Sequence, residues 1–154
     1  MLLNEHKSKL LFETAKIPVP QGMAVFPGEE DDFAPGFPLP WFLKAQVLSG
    51  GRGKAGGILR LDDLADFPDK ARKLFGREIK GESAPFIRVE PGEDIAREFY
   101  LSLAVSRERR CILLTCGRQG GVEIEKQGAD NLLVQEVVLP GGPAPHQVLS
   151  LIHI

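Results

Sequence analysis

A lysine set inside an apolar run is the first feature of this chain that asks for chemistry. Residues 41–61 read WFLKAQVLSGGRGKAGGILRL: an apolar segment carrying Lys44, a glycine-rich loop around Arg52-Gly53-Lys54, and a second apolar segment. Side chains alternate faces along a strand, so Phe42, Lys44, Gln46 and Leu48 are expected on one face and Trp41, Leu43, Ala45 and Val47 on the other. An ammonium in mid-strand is costly to desolvate unless an anion or a water-filled cleft meets it. Gly51 and Gly53 leave the backbone free to approach a ligand, and Arg52 and Lys54 add positive charge, a combination that suits a polyphosphate.

Three other uses of such a loop fail on the letters. Gly51-Arg52-Gly53-Lys54-Ala55-Gly56 satisfies the dinucleotide pattern, but that pattern needs a helix after its glycines, and residues 57–61 read as a strand. A phosphate-binding Walker loop needs Gly at position 48 and Ser or Thr at 55, where the chain has Leu48 and Ala55. An arginine- and glycine-rich RNA segment is longer, repeated and disordered, whereas this loop is pinned between apolar strands. What survives is a glycine-rich hairpin lying over nucleotide phosphates in the manner of the kinase loop, with the lysine ahead of the loop.

Two glutamates stand where a cleft could use them. Phe86, Arg88 and Glu90 share a strand face, and Glu90 lies at the strand's end, where it can accept hydrogen bonds from a ribose or orient neighbouring donors. The next strand is expected over 95–105, with Ala96, Glu98, Tyr100 and Ser102 on a polar face and Ile95, Phe99, Leu101 and Leu103 pointing into the core. On spacing alone, a surface ion pair is the commoner role for either glutamate.

The elements that must position these residues give an α+β pattern. Asn4 can cap a helix from Glu5 to about Ala15, with Leu10, Leu11 and Ala15 as its apolar stripe. A short strand follows at 22–26, and residues 27–40, rich in proline and carrying the acidic run Glu29 to Asp32, oppose regular structure. Asp62 or Asp63 can cap a helix reaching Phe75, with Pro68 marking the first turn of a helix that begins near Asp66. Further strands are expected at 85–90, 111–116, 122–125 and 132–139, and Leu139 to Pro143 reads as a linker into the apolar end VLSLIHI.

Composition excludes several classes of partner. A formal net charge of −2 gives no general affinity for nucleic acid or anionic membrane, so an anion site must be local. No apolar run approaches a membrane span, and the first residues lack a basic-then-apolar signal, which leaves the cytoplasm as the expected compartment. Cys111 and Cys116, five apart on one strand, point to opposite faces and cannot pair there, and His6, His146 and His153 form no metal or triad pattern.

With those residues in view, the chain resembles a known family. MLLNEHKSKLLFETAKIPVPQG, KAQVLSGGRGKAGG, VEPGEDIAREFYLSLAVSRERR and GGVEIE together look like the N-terminal ATP-grasp region of the β subunit of succinate–CoA ligase. The resemblance implies an ATP-grasp-type α+β fold, present in part: a mixed or antiparallel sheet with flanking helices, residues 1–140 forming the partial domain and 141–154 a linker and the start of a further segment. It implies that Lys44 contacts nucleotide phosphates, that Gly51, Arg52 and Gly53 supply the covering loop, and that Glu90 and Glu98 hold the base and ribose side. Glu93 falls where relatives touch nucleotide through backbone. ATP or GTP would be the nucleotide, with Mg²⁺ held by an Asn and an Asp beyond residue 154 and none of its ligands assignable here. Succinate, CoA and an α subunit bearing a phosphohistidine would be the partners in a step of the tricarboxylic acid cycle. No residue of this chain is then catalytic in the covalent sense, and the chain alone is not expected to form thioester. The alternatives are a related malate–CoA or citrate-cleaving ligase, and a nucleotide-binding module without turnover.

Overall fold

The computed structural model describes residues 2–121, 132–138 and 141–152, and the chain divides into two compact units, Met1–Asp94 and Ile95–Ile154. The first unit is built on an antiparallel sheet of four strands, β1 (Met23–Val25), β2 (Trp41–Ala45), β3 (Ile58–Leu61) and a strand at Ile87–Pro91, in the order β1, Ile87–Pro91, β2, β3. Alternation gives that sheet two unlike faces. Val25, Trp41, Leu43, Ala45, Leu61, Ile87 and Val89 are buried in one hydrophobic core, each large aliphatic contributing about 1.5–3 kcal/mol relative to exposure. Lys44 stands opposite Arg88 across the strand pair and Phe42 opposite Glu90, so the charged side chains gather on the other face.

A helix covers each face. On the apolar side lies α2 (Phe67–Phe75), which sends Phe67, Ala71 and Leu74 into the core. It begins where the sequence reading placed it, with Pro68 in its first turn and a 3-10 turn, Leu64–Asp66, capped by the Asp63 side chain on the Ala65 amide at 2.9 Å. Residues 27–40 close one end of this core through Phe33 and Phe37, whose rings pack against Trp41 at 5.9 and 5.6 Å. Of the acidic run, Glu30 is buried and pairs with Arg72 of α2 at 3.3 Å, and Asp31 with the same arginine at 2.7 Å, so part of that run is tied down rather than merely solvated.

On the polar side lies α1 (Glu5–Thr14), capped as expected by the Asn4 side chain on the Lys7 amide at 3.0 Å. Here the sequence reading is corrected: Leu10, Leu11 and Ala15 do not pack, and remain exposed. The helix instead lays Glu5, His6 and Lys9 onto the charged face of the sheet. A small hairpin that the sequence reading did not separate, β4 (Glu78–Ile79) and β5 (Glu82–Ser83), precedes the strand at Ile87–Pro91, which is β6.

The second unit is a three-stranded antiparallel sheet, β7 (Tyr100–Ser106), β8 (Cys111–Gly117) and β9 (Leu132–Val137), with β8 central, followed by α3 (Pro145–Ile152). Its described core is small: Leu114, Cys116 and Val137, with Ile112 against them. Cys111 and Cys116 are buried free thiols, and burial pushes the Cys116 thiol above its usual pKa. Two expectations fail in this unit. The strand starts at Tyr100, not Ile95, and Ile95, Phe99, Leu101 and Leu103 are exposed. Period-two alternation says which residues share a face, but not that the face is covered, and among the described residues β7 lies at the edge of its sheet. The expected strand at 122–125 lies outside the described residues.

Candidate functional site

The polar face of the first unit's sheet carries one continuous ionic cluster. Glu90 is its hub: one carboxylate oxygen accepts from Lys9 and from the Arg88 Nε at 2.5 Å, the other from Lys44. Its side chain is only 3% exposed. Burial alone would raise its pKa, but the hydrogen bonds from Lys44, Lys9 and Arg88 outweigh that and bring it down to about 2. Of the uses that spacing leaves open for Glu90, the geometry realises the orienting of neighbouring donors.

Arg88 is fully buried and uses its fork on three partners: Glu90, the His6 Nδ1 at 2.8 Å and the Pro20 carbonyl at 3.1 Å. Burial and the adjacent guanidinium hold His6 below its usual pKa, consistent with a neutral ring accepting at Nδ1. Gln46, also buried, receives the His6 amide at 2.9 Å and donates to the Lys44 carbonyl at 3.0 Å. Helix and strand are therefore locked in one register around the lysine.

Glu5 forms a second, more open carboxylate in the cluster. It accepts from the Arg52 guanidinium and lies 3.1 Å from the Lys9 ammonium and 3.4 Å from that of Lys44. Arg52 comes from the glycine loop, and its other terminal nitrogen donates to the Ala45 carbonyl at 3.1 Å. Desolvation pulls the pKa of Arg52, and separately that of Lys9, below the ordinary value. Three cations from three elements, Lys9 of α1, Lys44 of β2 and Arg52 of the loop, thus converge on one carboxylate with a path to water.

The loop is a closed turn of its own. The Gly57 amide donates to the Arg52 carbonyl at 2.8 Å and the Ala55 amide to the Gly51 carbonyl at 3.2 Å. Gly51 and Gly56 both sit at φ +75°, the left-handed region that side chains resist. The strand that follows pairs with β2, Lys44 opposite Ile58, so the loop tops a hairpin as its letters indicate. Lys80, from the turn between β4 and β5, props it by donating to the Gly50 carbonyl at 2.6 Å.

Of the residues named from sequence, Lys44, Arg52 and Glu90 come together in this cluster, with Gly51 and Gly53 in the adjoining turn. Glu93 is exposed just past β6, where the Gly92 amide donates to the Pro40 carbonyl at 2.7 Å. Glu98 belongs to the second unit and precedes β7 instead of lying on it. Its carbonyl accepts from Gly120 at 2.9 Å, and with Arg97, Arg118, Gln119 and Gly120 it lines an open cleft of about 400 Å³. Sequence reasoning missed Glu5, His6, Lys9 and the anchoring role of Arg88. Two signals were available: the i,i+4 spacing of Glu5 and Lys9 on one helix face, and Arg88 set among apolar strand neighbours, as Lys44 is.

A model of the ATP-grasp domain matches residues 2–133. The chain belongs to the ATP-grasp family. It is 40% identical over 132 residues to the β subunit of an ADP-forming succinate–CoA ligase of Methanocaldococcus jannaschii, a match covering 85% of this chain and 36% of that protein. It is 35% identical over 131 residues to the β subunit of the GDP-forming enzyme of Thermus thermophilus, covering 84% and 35%. The chain therefore spans about a third of the length of these relatives. In fold it is similar to the ATP citrate lyase of Methanothrix soehngenii, solved with citrate and coenzyme A, at a TM-score of 0.63 and 17% identity over 92% of this chain and 36% of the other.

Mg²⁺ is the ion that such a fold implies with its nucleotide. Among the described residues no group of three His, Cys, Asp or Glu side chains could hold a metal. Both carboxylates nearest Lys44, Glu5 and Glu90, are engaged by cations. Among the same residues no helix is long and apolar enough to cross a membrane.

Proposed function

We propose that this chain is the nucleotide-binding part of a succinate–CoA ligase β subunit, in which ATP or GTP phosphates are gripped by Lys44 and Arg52 beneath the Gly51 to Gly53 turn. The observation that carries the reading is the convergence of Lys44 and Arg52 with Lys9 on one locus, at the mouth of a glycine hairpin. The Lys44 side chain keeps 20% of its surface in contact with solvent, so a phosphate oxygen can reach it without unfolding anything. Support for the family-specific part comes from the 40% and 35% identical β subunits.

The chain's share of the reaction is then positioning and charge neutralisation. Lys44 and Arg52 would bear on the polyphosphate, stabilising the charge that develops as the terminal phosphoryl group leaves. Glu90, held by three cations, fixes the Lys44 ammonium in place rather than touching the chemistry. Glu98 is proposed for the base and ribose side, and Glu93 for a contact with the nucleotide through its backbone. Mg²⁺ would neutralise phosphate charge, held by ligands other than Glu5 and Glu90, which are engaged by cations. Succinate, CoA and a phosphohistidine-bearing α subunit complete the proposed reaction, in the cytoplasm and the tricarboxylic acid cycle. Residues 1–140 are proposed as the ATP-grasp part and 141–154 as a linker segment.

Calorimetric titration of the chain with ATP and with ADP tests the reading. Lys44→Ala should lower affinity by about 10- to 100-fold, the worth of one charge-assisted contact at roughly 1.5–3 kcal/mol. Equal affinity of the variant and the wild type would remove Lys44 from the site.

A further inference from the structure

The ion pairs around Lys44 do not balance. Among the described residues four cations, Lys9, Lys44, Arg52 and Arg88, meet two carboxylates, Glu5 and Glu90, an excess of two positive charges on a partly desolvated face. The two carboxylates are not equivalent. Glu90 is 3% exposed with both oxygens engaged, whereas Glu5 is 24% exposed and sits in the first turn of a helix whose apolar side chains are left in solvent. The Glu5 carboxylate lies where Lys9, Lys44 and Arg52 point together, which is the place those cations offer to an incoming anion.

We infer that Glu5 is an internal stand-in for phosphate: it neutralises the cations of the empty site and is displaced when a polyphosphate takes its place. The inference rests on the proposed phosphate site and adds a competing group and a third cation, Lys9, to it. A polyphosphate carries several charges and more acceptor oxygens than a carboxylate, so it outcompetes Glu5 for the same donors. Glu90 is too buried and too fully bonded to leave. Because Arg52 belongs to the glycine loop and Glu5 to α1, the same contact latches the loop to the helix until the ligand releases it.

This arrangement makes stability and affinity move in opposite directions. In a Glu5→Gln variant, the cations lose their internal partner, so the ligand-free chain should melt lower. The same variant should bind inorganic tripolyphosphate more tightly, by about ten-fold, the scale of one charge-assisted competitor removed. Its melting temperature should then rise more on adding tripolyphosphate than that of the wild type. A merely structural role for Glu5 would lower stability and affinity together. Glu5→Asp keeps the charge but draws it back from Arg52, and should give a smaller gain while preserving the fold should Glu5→Gln not fold. Glu108→Gln, in the exposed turn after β7, controls for net charge and should leave tripolyphosphate binding unchanged. Unchanged or weaker tripolyphosphate binding in both Glu5 variants overturns the inference. If Lys44→Ala weakens tripolyphosphate binding in that same series, the phosphate site itself stands. If Lys44→Ala has no effect, the site and the inference fall together.

Discussion

The Glu90→Gln substitution should cost the first unit about 2–3 kcal/mol at neutral pH. The carboxyl's pKa falls from an ordinary 4.5 to about 2 in the folded chain. At about 1.4 kcal/mol per unit, that difference corresponds to about 3 kcal/mol of stability. Removing one member of a buried ionic group independently costs about 3–5 kcal/mol, because the remaining charges lose their counter-charge. Here the abandoned partners include Arg88, which is fully buried, but also Lys9 and Lys44, which reach water and can be partly rehydrated. That rehydration brings the cost just below that range, to about 2–3 kcal/mol. For a unit of this size, about 4–8 °C per kcal/mol translates it into a fall of about 10–20 °C in melting temperature.

Urea unfolding followed by fluorescence gives the measurement, since the single tryptophan, Trp41, is buried in the core of this unit. The pH dependence sharpens it. A depressed carboxyl stabilises fully above its unfolded pKa and loses that contribution as pH falls through its folded one, so the wild-type advantage should persist down to about pH 5 and decay towards pH 2. At about pH 3 less than half of it should survive. A difference below about 0.5 kcal/mol at pH 7, within the scatter of ordinary surface substitutions, would refute the assignment of Glu90 as hub. So would a difference that does not change between pH 7 and pH 3.

Two further substitutions probe the neighbourhood. A Cβ added at Gly22 would stand 2.7 Å from the Arg88 guanidinium and 2.8 Å from the Glu90 Cγ. Because that guanidinium is fixed by three partners, Gly22→Ala should destabilise by about 1–3 kcal/mol, read as a lower urea midpoint, and an unshifted midpoint would show the cluster to be yielding. In the glycine loop, a Cβ at Gly53 meets only Ile58 Cδ1 at 3.5 Å, while Gly51 sits at φ +75°. Gly53→Val should therefore unfold like the wild type yet weaken ATP binding several-fold, and Gly51→Val should cost about 1–2 kcal/mol besides. ATP affinity untouched in Gly53→Val would take the loop out of the site.

The fold was legible wherever a local pattern has one physical solution. The alternation in residues 41–47 puts Trp41, Leu43, Ala45 and Val47 on one face, and all four are buried. Asn4 and Asp63 cap as their types prefer, and Pro68 marks a first turn because only there is its missing amide harmless. The misreadings share a cause. Leu10 and Leu11 on α1, and Leu101 and Leu103 on β7, were given a core from their pattern, yet each is exposed. A pattern fixes which residues face the same way, and burial then depends on what is laid against that face.

For the site, the sequence exposes the demand but not how it is met. Lys44 among apolar neighbours announces a cation in need of an anion, and the glycine turn beside it suggests phosphate. Yet the anions that meet it in the folded chain, Glu5 and Glu90, lie 39 and 46 residues away, on a helix and on a neighbouring strand. Neither pairing is a matter of local spacing: each requires β2 to register against β6 and α1 to settle on the polar face. Once both have happened, the charges sort by depth. The deep carboxylate, Glu90, has no freedom left and serves the fold. The shallow one, Glu5, touches the same lysines and the loop arginine but keeps a route to water, so it is the member of the cluster that a nucleotide can replace.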